Sequence, residues 1–302
     1  MLRWLAALTS GGMLLVLVMG AAVTNTGSAE GCGRSWPLCN GQFVPEFTLA
    51  TSIEYSHRAV TGIESVLLLA LAAAMLWLWR SSREVVVLSA LMVGTLFLQA
   101  GLGAGAVLWP QSPLMLATHF GVSLIAFAST FLSATLVFQR TSRVPRASPR
   151  RVSRGLTLAA TTYVLGVVYL GAYVRHANLS LGCLDWPLCN GQVVPPLDSV
   201  TGVVFAHRVA ALGAVLLLGF LAYRLQSKAA VWAFAFGVLQ ALSGALVVWS
   251  RLGLFSTLLH AALMGLLFAT LSYVAWESLT RAQRPAAEVV RLPTRQGLLA
   301  RP

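Results

Sequence analysis

Eight stretches of this sequence stay apolar for about 20 residues or more, the length a helix needs to cross a bilayer. They are 4–24, 53–79, 85–108, 113–138, 155–175, 201–223, 229–249 and 254–278. Hydrocarbon offers no partner to backbone N–H and C=O groups, so runs of this length must satisfy their own hydrogen bonds as α-helices. The expected fold class is an all-α integral membrane protein with eight transmembrane helices. Composition agrees: 10% of the 302 residues are charged, against roughly 25% in an ordinary soluble domain. The first run, with Arg3 before it and small residues up to Ala29 after it, has the outline of a secretory leader. A similar segment recurs in mid-chain, where no leader can act, so the first run is read as part of the bundle.

A formal net charge of +12 would suit nucleic acid if the charges formed one basic face. They do not. With the N-terminus inside, sixteen of the 21 Lys and Arg residues fall in cytoplasmic segments, while Arg34, Arg175 and Arg251 lie in outer loops. This bias predicts a multi-pass protein of the cell membrane with both termini in the cytoplasm, and it accounts for the charge without nucleic acid. The stretch Arg140–Arg154, which contains six arginines, is expected to lie on anionic headgroups.

An internal duplication organises the chain. Residues 36–45 read WPLCNGQFVP and residues 186–195 read WPLCNGQVVP. Each is followed at the same interval by a His-Arg pair, His57-Arg58 and His207-Arg208. Further on, LQA at 98–100 precedes His119, and LQA at 239–241 precedes His260, with 20 residues from Gln to His in both copies. Chance does not produce this ordered series. The expected organisation is a four-helix half at 1–139, a basic linker at 140–154, a second half at 155–280 and a tail at 281–302. Four helices return the chain to its starting side, so the halves should be parallel repeats about a pseudo-twofold axis along the membrane normal.

Each half places one histidine early in its second helix and one early in its fourth. A buried histidine is most often a hydrogen-bonded core residue, but polar groups inside a membrane are costly and tend to be functional. Two imidazoles without further ligands make a poor zinc site, which needs three or four protein ligands. They do make a bis-imidazole haem site, because the porphyrin supplies the other four. Gly62, Phe120, Gly121, Phe205, Ala206, Ala261 and Gly265 are expected to line the macrocycle. Arg58 and Arg208, beside a ligand and near the outer interface, are favoured as propionate partners over simple snorkelling. His176 has no counterpart in the first half and reads as a surface residue.

The halves also differ. Glu54 precedes His57 by three residues and shares its helix face; the aligned residue is Val204. A carboxylate at one site and valine at the other argues for chemistry in the first half and a haem for electron transfer or structure in the second. The plainer role for Glu54 is to neutralise Arg58. Glu64 lies on the same face, aligned with Ala214, as a proton-path residue or a polar partner, and ranks below Glu54. The pairs Cys32–Cys39 and Cys183–Cys189 face an oxidising compartment, where disulfides persist. A static staple suits the second pair; for the first, beside the proposed chemistry, a redox role weighs equally. Neither has CXXC spacing.

The outer WPLC loops, EYSHR at 54–58, THF at 118–120, AHR at 206–208 and LH at 259–260 together resemble the haem A synthase family, in its form with cysteine pairs in both outer loops. The resemblance spans nearly the whole chain. It implies that His57 and His119 flank the substrate haem O, with Glu54 the essential carboxylate, and that His207 and His260 ligate a haem b. It implies oxidation of the C8 methyl of haem O to the formyl group of haem A. Compatible partners are a haem O synthase, a terminal oxidase, a quinol or other electron donor, membrane lipids and a second copy of the chain. The family often carries a basic residue at the end of its first helix, where this chain reads VTNTGS; Arg34 is the substitute expected for it. The competing reading is a di-haem b-type cytochrome passing electrons from quinol, which has no use for the Glu54/Val204 asymmetry. A duplicated transporter should show paired helix breaks at mid-membrane, and a disulfide oxidase leaves the histidines unexplained.

Overall fold

The architecture, from a computed structural model describing residues 1–142 and 153–281, is all-helical. Its elements are α1 (Leu2–Asn25), α2 (Leu49–Trp79), α3 (Arg83–Leu108), α4 (Pro113–Thr141), α5 (Arg154–His176), α6 (Val200–Leu225), α7 (Lys228–Trp249) and α8 (Leu254–Arg281). All eight are long and apolar enough to cross a membrane. Most of the basic linker and the arginines beyond 281 lie outside the described residues.

Helices α2, α4 and α7 begin at a side-chain cap, which hydropathy alone does not register. α2 starts four residues before the predicted run because Thr48 Oγ1 accepts from Thr51 N at 3.1 Å. Ser112 does the same for Met115 N at 3.1 Å, with Pro113 at the first helical position, where its missing N–H costs nothing. Ser227 caps α7 through Ala230 N at 3.2 Å.

Helices α1–α4 close into one ring and α5–α8 into another, each helix packing on its chain neighbours and the first on the fourth. Between rings, α4 packs on α5, α1 on α8, and α4 on α8. Exchanging α1–α4 for α5–α8 leaves this set of packed pairs unchanged. α4 and α8 are thus the central helices, and α4 is buried on nearly all sides. One core cluster joins Leu124 and Phe127 of α4 to Val164, Leu218 and Leu271 of the second half; another joins Leu68 and Met75 of α2 to Leu88, Met92 and Leu136. Large apolar side chains such as Trp77, Phe97 and Phe255 project outward, as lipid-facing positions should.

Both cysteine loops close at the same end of the bundle. Each ends in a tight Asn-Gly turn: Asn40 and Gly41 have φ of 52° and 78°, Asn190 and Gly191 of 54° and 79°. Two successive left-handed residues define a type I′ turn, for which Asn-Gly is the favoured pair. In each loop it sets cysteine opposite glutamine, Cys39 with Gln42 and Cys189 with Gln192. Cys32–Cys39 and Cys183–Cys189 are disulfide-bonded.

Candidate functional site

The antiparallel packing of α1 on α2 places His57 against Gly20, where a Cβ would stand 3.4 Å from its Cε1. The other three histidines meet a glycine in the same way: His119 meets Gly103 at 3.5 Å, His207 meets Gly171 at 2.6 Å and His260 meets Gly244 at 3.4 Å. These four glycines occupy aligned positions in the two halves. Each imidazole thus lies against a notch that a larger residue would fill. His57 and His119 are close enough to interact electrostatically, as are His207 and His260. The four sequence-predicted histidines therefore assemble into one pair per half, within the cysteine-loop side of each ring.

Buried polar atoms are nearly always partnered. The Nδ1 atoms of His57, His119 and His207 are buried without a hydrogen-bond partner among the described residues. No cluster of three or more His, Cys, Asp or Glu side chains there could hold a bare metal ion. Paired, notched and under-satisfied imidazoles with no further ligands fit a planar group that brings its own equatorial donors, as haem does.

His260 is the exception. Its Nδ1 lies 2.8 Å from Ser243 Oγ, which is itself 2.9 Å from Gln240 O. Ser243 thus holds the ring through Nδ1 and leaves Nε2 as its other nitrogen. Gln240 Nε2 stands 3.1 Å from that nitrogen. In the first half Leu102 takes the place of Ser243 and the ring of His119 has no such tether. Gln99 instead holds the helix backbone, donating to His119 O at 2.9 Å and to Ser123. The equal Gln-to-His intervals in the sequence marked these glutamines and align Ser243 with Leu102; that Ser243 reaches His260 is seen only in the packed helices.

Glu54 is 4% exposed and fully engaged. Its Oε2 accepts from Cys32 N at 2.8 Å and its Oε1 from Arg58 Nη2 at 2.6 Å. Arg58 Nη1 also donates to Ser35 O and Leu38 O, at 2.8 and 2.9 Å. Arg208 donates to Leu188 O at 2.6 Å and Cys183 O at 3.2 Å. Both arginines clamp their disulfide loops over the histidine pairs, a role the sequence did not suggest. Val204, aligned with Glu54, packs against Cys183 and Cys189 instead. The second loop has its own carboxylate: Asp185 accepts from Gly191 N at 2.7 Å and from Asn190 N, and the Gly191 bond leads in holding it below the usual carboxylate range. Ser35 Oγ receives the equivalent Gly41 N at 3.3 Å.

Three expectations need correction. His176 is not an ordinary surface residue: it is half-buried at the end of α5 and interacts electrostatically with Arg175 and His119. Gly121 and Gly265 do not line a histidine pocket, since Cβ atoms there would meet Tyr169 at 2.5 Å and Leu14 at 3.2 Å across the seam between the halves. The basic group held at the end of α1 is Arg175 rather than Arg34. Its Nε and Nη2 reach Asn25 Oδ1 at 3.0 and 2.7 Å, placing a cation at a helix C-terminus, where the dipole favours it. Arg34 lines a cavity of about 320 Å³ with Glu30 and Trp109.

Fold and site together define a duplicated membrane protein with one buried histidine pair per four-helix half, each beneath a disulfide-closed loop. The chain matches the COX15-CtaA family, described as cytochrome oxidase assembly protein, over residues 3–272, and belongs to that family. It is 40% identical over 301 residues to a haem A synthase of Symbiobacterium thermophilum, covering 92% of this chain and 95% of that protein. It is 42% identical over 291 residues to one from Bacillus licheniformis, covering 90% and 94%. Against one from Halalkalibacterium halodurans it is 40% identical over 287 residues, covering 90% and 95%.

Proposed function

We propose that this chain is a haem A synthase: an oxidoreductase whose first half, 1–139, takes haem O between His57 and His119 and whose second half, 155–280, holds haem b between His207 and His260. The observation that carries the reading is the pair of duplicated histidine sites with unequal surroundings. One has a tethered ligand, His260, suited to permanent occupancy. The other has an untethered His119 and a buried carboxylate, Glu54, suited to a group that arrives and leaves. With dioxygen as the oxidant, each hydroxylation of the C8 methyl would insert one oxygen atom and reduce the other to water with two electrons from the donor; the geminal diol would then lose water to give the formyl group. When bound between His207 and His260, haem b would supply one-electron transfer toward the reacting site.

The chain's own contribution is positioning. Glu54 ties the His57 helix to the loop closed by Cys32–Cys39 and neutralises Arg58. The arginine-clamped loops cover both pockets. Arg58 and Arg208 also put positive charge where haem propionates would meet the interface, with donors beyond those engaged by the loop. The arginine distribution supports a cell-membrane location with both termini cytoplasmic and the histidine sites toward the outer face. The product would go to a terminal oxidase and the substrate come from a haem O synthase. Reducing equivalents would come from quinol or another donor, and a second copy of the chain could join the assembly through its lipid-facing surfaces.

Extraction and chromatography of the bound haems test this reading. Wild-type protein should yield haem b together with haem O or haem A. Glu54→Ala should keep haem b and accumulate haem O without haem A. Haem b alone from both proteins, with no conversion in cells, would favour the di-haem cytochrome.

Ser243 gives a second expected result. An outer-shell partner of a metal-bound histidine is typically worth 10–100-fold in affinity. Ser243→Ala should therefore reduce haem b retention about tenfold and shift its reduced-minus-oxidised spectrum, while Ser243→Thr restores both. An unchanged spectrum and haem content would remove Ser243 from the site.

A further inference from the structure

Glu64 is the buried group that the proposed chemistry leaves unused. It is 3% exposed at the middle of α2, and its Oε1 has no hydrogen-bond partner among the described residues. Its Oε2 occupies a notch at Gly12 of α1 in which a Cβ would collide with it. Because α1 and α2 are antiparallel, Gly20/His57 and Gly12/Glu64 form two rungs on one face. They are seven residues apart on α2, or about 10 Å of helix rise. Helical side chains lean toward the helix N-terminus, so the carboxyl of Glu64 reaches back toward the His57 level.

The second half lacks this arrangement. Ala214 stands in place of Glu64, and Tyr163 in place of Gly12. Tyr163 lies along α6 instead, with its hydroxyl donating to Ala210 O at 3.2 Å and standing 2.6 Å from where a Cβ on Gly213 would be. A buried carboxyl without a partner is costly, so its presence in one half alone calls for a group that only that half binds.

Haem O differs from haem b in one substituent: a hydroxyethylfarnesyl group replaces a vinyl, on the porphyrin edge opposite the two propionates. The propionates are charged and must face the polar interface nearest the histidines, which turns the opposite edge toward the membrane centre. We infer that Glu64 is a specificity-determining residue that hydrogen-bonds the hydroxyl of the hydroxyethylfarnesyl group, so that the first half selects haem O while the second, with Ala214 and Tyr163, accepts haem b. A hydroxyl both donates and accepts, so either form of the carboxyl can serve. The farnesyl chain beyond it needs only apolar surroundings. The inference rests on haem O occupying the first half.

The test is the haem inventory of full-length protein purified from cells that make both haem b and haem O. Wild type should carry haem b and a haem O-derived pigment in comparable amounts. Losing a hydrogen bond to a charged or strongly polar group should lower the haem O share of Glu64→Ala about tenfold or more, with haem b entering in its place; Glu64→Gln should keep most of it. Glu64→Ala protein with the wild-type haem O share overturns the inference. Wild-type protein without haem O or haem A overturns the first-half reading itself, whatever Glu64 does. If Glu64→Ala also loses the second-half haem b, the fold has failed and the converse graft decides. Tyr163→Gly with Ala214→Glu should bring haem O into the second half, and haem b alone at that site overturns the inference.

Discussion

Replacing His57 or His119 with alanine is expected to reduce haem A formation to background while haem b remains bound between His207 and His260. The two pairs lie in separate four-helix rings, each imidazole in its own glycine notch, so loss of one ligand need not disturb the other ring. Substitutions in separate rings that share no hydrogen-bond partner act nearly independently. Haem extraction and activity measured on the same preparation check the result. If the first-half variants lose haem b instead, the assignment of the two sites is reversed.

The second large effect is expected at Gly171. A Cβ there would stand 2.6 Å from Cε1 and 3.1 Å from Nε2 of His207, so the ring must shift from the position it holds between the helices. Overpacking of this kind costs about 1–3 kcal/mol, all of it at a ligand, so Gly171→Ala should lower haem b content roughly tenfold. The aligned Gly20 is an internal comparison: its Cβ would stand 3.4 Å from His57 Cε1, near ordinary contact, and Gly20→Ala should bind its haem almost normally. Haem content per chain separates the two variants. Equal tolerance would mean that the His207 ring turns freely, contrary to the tight notch.

Much of this was legible in the sequence because the physics is blunt at that scale. Twenty apolar residues in succession allow little besides a spanning helix, and the repeated WPLCNGQ, His-Arg and LQA signals brought the four histidines together in the expected pairs. Helix ends were less legible, since Thr48 and Ser227 start helices through side-chain oxygens that a hydropathy scan counts only as polar. Roles that depend on helix rotation were not legible at all. Gly121 and Gly265 have the right size for a haem pocket, but they sit on the faces of α4 and α8 that turn to the seam. Arg58 and Arg208 were placed correctly beside their histidines, yet their bonds run to loop carbonyls, which carry no sequence signature. Arg175 reaches Asn25 across 150 residues of chain, and only the packing of the two halves makes them neighbours.

The packed pairs that survive exchange of the halves have a further meaning. α4 and α8 pair with each other, while α1 with α8 and α4 with α5 are mirror instances of one contact. A surface that meets its own copy in this way is isologous, the geometry of a twofold dimer. The seam therefore has the form of a subunit interface carried within one chain. In a dimer of identical subunits every substitution appears twice, and a residue useful at one site is imposed on both. A single chain with two halves is free of that constraint. Within one chain the halves differ independently: the first carries Gly12, Glu64 and Leu102 where the second has Tyr163, Ala214 and Ser243. Two sites of one plan thereby acquire unlike surroundings.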